Sequence, residues 1–250
     1  MNYINVPNLP DKNVRLALVD GRISPGLERG LCSNGVTLIK TYAHSALYPA
    51  ISFHPDIVLH HIGDKLLVFA PGTNENTLRA LTGLGFSLIK GNSELTSKYP
   101  GNICYNVARV GNFAFHNTKY TDSVLRENLY KMGVEFVHVN QGYAKCAVSI
   151  ADENSIITMD AGIAKAAERK GLDALVIEES KIRLPSLDKG FIGGSTCLID
   201  KKRWALAGDL EKLDSSAKIY DFLTAKGIEI VSLSQDQVID VGSIIPLATF

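Results

Sequence analysis

Five glycines constrain this 250-residue chain more than any other feature. Gly35, Gly85, Gly133, Gly171 and Gly227 each follow a helix-patterned run and open a short apolar run. The runs read GVTLIK, GFSLIK, GVEFVHV, GLDALVI and GIEIVSL. Glycine at such a junction suits the left-handed residue that ends a helix before the chain turns into a strand. The preceding segments TLRALTGL, SVLRENLYKM and AKIYDFLTAK carry the 3.6-residue apolar period; IAKAAERK and SPGLERGLCSN carry it more weakly. Upstream of each helix lies an apolar strand: RLALVDG, LLVFAPG, FAFHN, IITMDAG and WALAGD. Four of these follow a further strand and a tight turn, in DIVLHHIGDK, NICYNVARVGN, CAVSIADENS and STCLIDKKR.

The unit is therefore strand–strand–helix–strand, complete four times. Its copies fall near residues 53–92, 101–140, 145–178 and 190–234. The first copy, near 11–40, lacks an opening strand, and the last ten residues, VGSIIPLATF, form a strand with no helix after it. Joining the two ends predicts a single α/β domain over 1–250. It is a propeller of five ββαβ units closed by the C-terminal strand, which removes exposed sheet edges.

Composition narrows the function classes. Lys plus Arg and Asp plus Glu each number 26, so no broad basic surface for nucleic acid or membrane is expected. No apolar run approaches the ~18 residues of a membrane helix. The four cysteines (Cys32, Cys104, Cys146, Cys197) are dispersed with no CxxC pair and read as reduced thiols of a cytoplasmic protein. The expected partner is a small polar molecule; oligomeric state is not readable.

A ring of five ββαβ units is the pentein fold, and the chain resembles the guanidino-group-modifying enzymes of that fold. The stretch SSAKIYDFLTAKGIEIVSLSQDQVIDVGS is similar to the final helix and closing run of dimethylarginine dimethylaminohydrolases. His54-Pro55-Asp56 resembles the H-x-D element of the deiminases, and Gly193-Gly194-Ser195-Thr196-Cys197 their glycine-rich approach to cysteine. Gly142-Tyr143-Ala144-Lys145-Cys146 has the same spacing. The resemblance implies a thiolate attacking a guanidinium carbon, a histidine moving protons and carboxylates holding the cation. The standard positions depart from this: Pro246 stands where the nucleophilic cysteine is expected, and Ala144 to Cys146 offer no histidine.

The candidate catalytic residues are therefore Cys197 or Cys146 with His54. Asp56, His60, Asn102, Lys145 and Ser195 are candidate substrate contacts, because they lie at or near first-strand entrances around a central funnel. Two functions follow. One is a Cys/His hydrolase or transferase acting on C–N bonds of a guanidino or amidino compound; the other is a non-catalytic pentein binding a small molecule or a protein partner. Each thiol also reads as a small buried hydrophobe, most directly Cys32 and Cys104. His116 and His138 read as structural. His54, His60, Cys146 and Cys197 have zinc-compatible side chains, but only the adjacent His60-His61 provides a close-spaced pair, and no metal or cofactor is expected. Gly193-Gly194 lacks the pattern of a phosphate cradle, and Lys201-Lys202-Arg203 reads as a solvated hairpin tip.

Overall fold

A computed structural model of the chain describes residues 2–250. The chain opens with β1 (Asn2–Tyr3), β2 (Val14–Val19), α1 (Pro25–Ser33) and β3 (Thr37–Lys40). The second unit is α2 (Pro55–Val58), β4 (Leu59–Gly63), β5 (Leu66–Phe69), α3 (Glu75–Gly83) and β6 (Ser87–Lys90). The third is β7 (Ala108–Val110), β8 (Phe113–His116), α4 (Ser123–Lys131) and β9 (Glu135–His138). The fourth is α5 (Ala144–Ala147), β10 (Val148–Asp152), β11 (Ser155–Thr158), α6 (Ala161–Glu168) and β12 (Asp173–Val176). The fifth is a 3-10 turn (Gly193–Ser195), β13 (Thr196–Asp200), β14 (Arg203–Leu206), α7 (Ser216–Ala225) and β15 (Glu229–Ser232), followed by β16 (Ile245–Thr249).

Five small sheets result. In each complete unit the middle strand pairs antiparallel with its hairpin partner and parallel with the strand after the helix, as β5 does with β4 and β6. This is the pentein architecture. The C-terminal strand completes the first unit: β16 runs antiparallel to β2, with Ile245 opposite Leu18 and Pro246 opposite Ala17. On its other edge β16 takes β1, with Tyr3 opposite Ala248. The sequence pattern gave no sign of that two-residue strand, which is too short to show alternation. Pro246 has no amide hydrogen for a ladder, and the register slips between Pro246 and Ala248, a position where a strand tolerates proline.

The five junction glycines all adopt positive φ, from 63° to 86°. Helix starts follow the cap rules: Ser24, Asn74, Asp122 and Asp160 each accept a backbone N–H of the first turn. Asp122 does more than cap α4. It also accepts from the amides of Asn92 and Ser93 and the hydroxyl of Tyr105, tying the second unit to the third. Burial alone would raise its pKa, but these hydrogen bonds outweigh burial and hold the carboxyl below its usual value.

One local expectation is corrected. The apolar runs at unit entrances are not strands throughout. Pro55–Val58, Ala144–Ala147 and Gly193–Ser195 wind into single helical turns before their strands begin. A short apolar run cannot distinguish a buried turn of helix from a strand, and Pro55 at the first helical position favours the turn. These turns carry the polar residues of the ring's centre. No helix among the described residues is long and apolar enough to cross a membrane.

Candidate functional site

The entrance turns converge on a polar hub. Asp56 from the second unit, Asn106 from the third, Lys145 and Cys146 from the fourth and Ser243 from the first are all buried. Ser243 Oγ donates to Asp56 Oδ2 (2.7 Å) and accepts from Lys145 Nζ (2.9 Å), so one hydroxyl joins a buried carboxylate to a buried ammonium. Lys145 Nζ also reaches the carbonyl of Gly193 in the fifth unit (3.4 Å). Burial lowers the Lys145 pKa, and Asp56 opposes that shift. Asn106 Oδ1 accepts the amide of Lys145 (2.9 Å), and its Nδ2 donates to the Asp56 carbonyl (3.1 Å) and to Cys146 Sγ (3.2 Å). Every unit thus places at least one group in the hub.

The expected open funnel is closed. Asp56 is 2 % exposed and Ser243 0 %, so bulk solvent does not reach the hub. Cys146 donates its thiol proton to Asp56 Oδ2 (3.2 Å). Burial first, then the charges of Asp56 and Asp240, push its pKa well above the ordinary thiol value. That is the reverse of an activated thiolate. Cys197 lies one residue into β13 in an apolar cluster; burial raises its pKa to about 12, against a smaller lowering by Lys145. Cys104 is buried, but Cys32, expected as filler, is exposed on α1: it follows the buried Leu31 and so points off the packed face.

His54 takes another direction. It caps α2 beside Gly242, where a Cβ would lie 2.2 Å from the His54 Cγ and where φ is +65°. Only glycine allows this approach and this backbone. No hydrogen bond joins His54 to either thiol among the described residues. Its Nε2 instead lies 3.9 Å from Asp20 Oδ2, at the end of β2. Asp20 is gripped by Arg22 through Nε and a terminal nitrogen. Asp240, on the other side, accepts the amides of Phe191 and Gly242 (2.9 Å each). Gly194 makes room for it, since a Cβ there would lie 2.0 Å from Asp240 Oδ1. Burial raises the Asp240 pKa, with His54 acting against the shift.

Asp20, His54 and Asp240 floor a pocket of about 450 Å³. Arg22, Arg183 and Asp236 stand at its exposed rim, and Ile23, Leu27 and Ile239 give it apolar walls. Asp20 and Asp240 escaped sequence reading. The signal available was RLALVDG ending its strand on a carboxylate, and DVG just before the closing strand; both read as turn chemistry.

The remaining candidates separate. Asn102 is buried beside Tyr143, whose hydroxyl is pushed up by burial and by Tyr48. Ser195 Oγ donates to the Phe191 carbonyl (2.9 Å), closing its own turn. His60 lines a chamber of about 20 Å³ with Asp56, Lys145 and the N-terminal residues Pro7 and Asn8. His116 is held by Thr121 and Ile103 through its two ring nitrogens, and His138 contacts Thr118. Among the described residues no three His, Cys, Asp or Glu side chains are grouped to hold a metal.

Residues 18–245 match a family of unknown function, DUF6873. This chain belongs to that family. No curated protein matches the sequence. Solved structures match across nearly the whole chain. The amidinotransferase SxtG from Microseira wollei superposes with TM-score 0.55 at 12% identity, covering 95% of this chain and 96% of that one. The inosamine-phosphate amidinotransferase StrB1 from Streptomyces griseus gives 0.57 at 10%, with 94% and 92% covered. Agmatine deiminase from C. jejuni gives 0.55 at 9%, with 92% and 91% covered. A dimethylarginine dimethylaminohydrolase gives 0.55 at 11%, with 89% and 93% covered. At such identities the likeness establishes the fold.

Proposed function

We propose that this protein binds a small cationic compound of guanidino or amidino type in the Asp20–His54–Asp240 pocket, without using a cysteine nucleophile. One observation carries the reading: two buried carboxylates flank an imidazole in an accessible pocket, while the central thiol is protonated and tied to Asp56. Carboxylates held by backbone amides and by Arg22 keep acceptor capacity for a planar cation. The cation in turn lowers the Asp240 pKa and favours its ionised form. The ring also belongs to the fold of amidinotransferases and deiminases, which supports the compound class.

Thermal-shift and calorimetric titration of the full chain test this. Arginine, agmatine and methylguanidine are compared with the uncharged analogues citrulline and methylurea. Guanidinium compounds are expected to raise the melting temperature, and Asp240→Asn to weaken binding at least tenfold with no product formed. An identical response to charged and uncharged analogues defeats the proposal.

A second reading is a hydrolase or transferase in which Cys146 or Cys197 attacks the guanidino carbon and His54 moves protons. The likeness in fold to amidinotransferases and agmatine deiminase favours it. It requires the hub to open and the thiol to lose its proton to a base, and it predicts turnover that the binding reading does not.

A further inference from the structure

The hub has a second side. Between β1 and β2, residues 4–13 cross the hairpin end of the ring as a strap. Val6, Leu9 and Pro10 face the hairpin tips around Gly111, Glu153 and Lys201 across a shared cavity of about 670 Å³. Asn8 adopts φ +66°, and with Pro7 it roofs the 20 Å³ chamber over Asp56, His60 and Lys145. Three residues lining this chamber carry a polar atom buried without a protein partner: Asp56 Oδ1, His60 Nε2 and His61 Nδ1. The residues are 2 %, 7 % and 3 % exposed. Leaving such atoms unpaired is costly.

The chemistry of the lining selects the guest. Asp56 Oδ1 can only accept. Burial, reinforced by the charge of Arg109, lowers the His60 pKa to about 3, so the ring is neutral. A neutral ring presents one donor and one acceptor nitrogen. His61 donates from Nε2 to the Asp64 carbonyl (3.0 Å), which leaves its Nδ1 an acceptor. Lys145 uses two donors on Ser243 and Gly193 and has a third remaining. The guest must therefore donate to Asp56 and accept from Lys145. An anion is repelled by Asp56 and a cation by Lys145. The volume accommodates one water and little more.

We propose that this chamber is a built site for a single water molecule, donating to Asp56 Oδ1, accepting from Lys145 and hydrogen-bonded to a histidine of β4, enclosed by the strap. The water completes the coordination of the hub's carboxylate and links it to β4. It sits on the opposite side of the hub from the ligand pocket, so its presence does not depend on what that pocket binds.

Two measurements on the unmodified full chain test the site. A high-resolution crystal structure is expected to show one ordered oxygen within hydrogen-bond distance of Asp56 Oδ1, Lys145 Nζ and either His60 Nε2 or His61 Nδ1. Nitrogen-15 spectra of the histidine rings are expected to show the ring nitrogen beside the water shifted from its unpaired value towards a hydrogen-bonded one. A dry chamber, a side chain turned into it, or unpaired shifts at both His60 Nε2 and His61 Nδ1 overturn the assignment. Spectra recorded with and without ammonium salts separate water from ammonia, which has compatible donors; a His60 or His61 shift that follows ammonium concentration also overturns it.

Discussion

Replacing Asp56 by leucine is the sharpest perturbation of the hub. Lys145 is 7 % exposed and is balanced by Asp56 through Ser243, over contacts of 2.9 and 2.7 Å. Asp56→Leu leaves the ammonium with only a hydroxyl and a carbonyl. Breaking a buried pair in this way costs about 3–5 kcal/mol, a large part of the roughly 5–15 kcal/mol that holds a domain folded. For a chain of this size, the melting temperature should fall by about 6–20 °C. Lys145→Met in the same background removes the stranded charge, so the double variant should be more stable than Asp56→Leu alone. The pH dependence has a definite sign. In Asp56→Leu the folded Lys145 pKa lies below its unfolded value of 10.5, so the unfolded state binds more protons and stability rises with pH up to about that value. Urea unfolding of all four proteins, as a double-mutant cycle, measures the coupling. Losses that add to within about 0.5 kcal/mol would refute the hub as a coupled pair.

Acid should unfold the protein with histidine protons taken up: burial lowers His60 to about 3 and His61 and His116 to about 4, so between pH 6.5 and 4 the unfolded chain binds more protons and stability is lost as the pH falls. Potentiometric proton counting across that transition checks this, and no uptake there contradicts it. Deleting residues 241–250 removes both the strand between β1 and β2 and Ser243. The truncated chain is expected to lose cooperative unfolding, and an unchanged urea midpoint refutes ring closure.

The ring was legible because its signals are local. A positive-φ glycine, a capped amphipathic helix and an alternating strand can each be read within ten residues, and five copies reinforce one another. The closing strand was legible because an unmatched strand at one end met an unmatched unit at the other. The helical entrance turns were not, since PDIV and AKCA have no period long enough to distinguish a turn from a strand. The hub was half-legible: Asp56, Lys145 and Cys146 stood out by type, while Asn106 and Ser243 did not. What pairs them is separation in sequence of up to 187 residues, which no spacing rule reports. The direction of His54 was hidden for a related reason. It is set by contact with Gly242 and by carboxylates from two other units, Asp20 and Asp240.

The central claim is that the ring's centre is sealed and its thiol protonated, so that ligand chemistry belongs to the rim pocket. Alkylation of the native protein with iodoacetamide between pH 6 and 9, read cysteine by cysteine by mass spectrometry, tests it most directly. Cys32 should be modified first, as the exposed thiol, and Cys146 only when the protein unfolds, at a rate that follows urea concentration. Modification of Cys146 in the folded protein near neutral pH, slowed by His54→Ala, would contradict the account and establish a working thiolate at the centre of the ring.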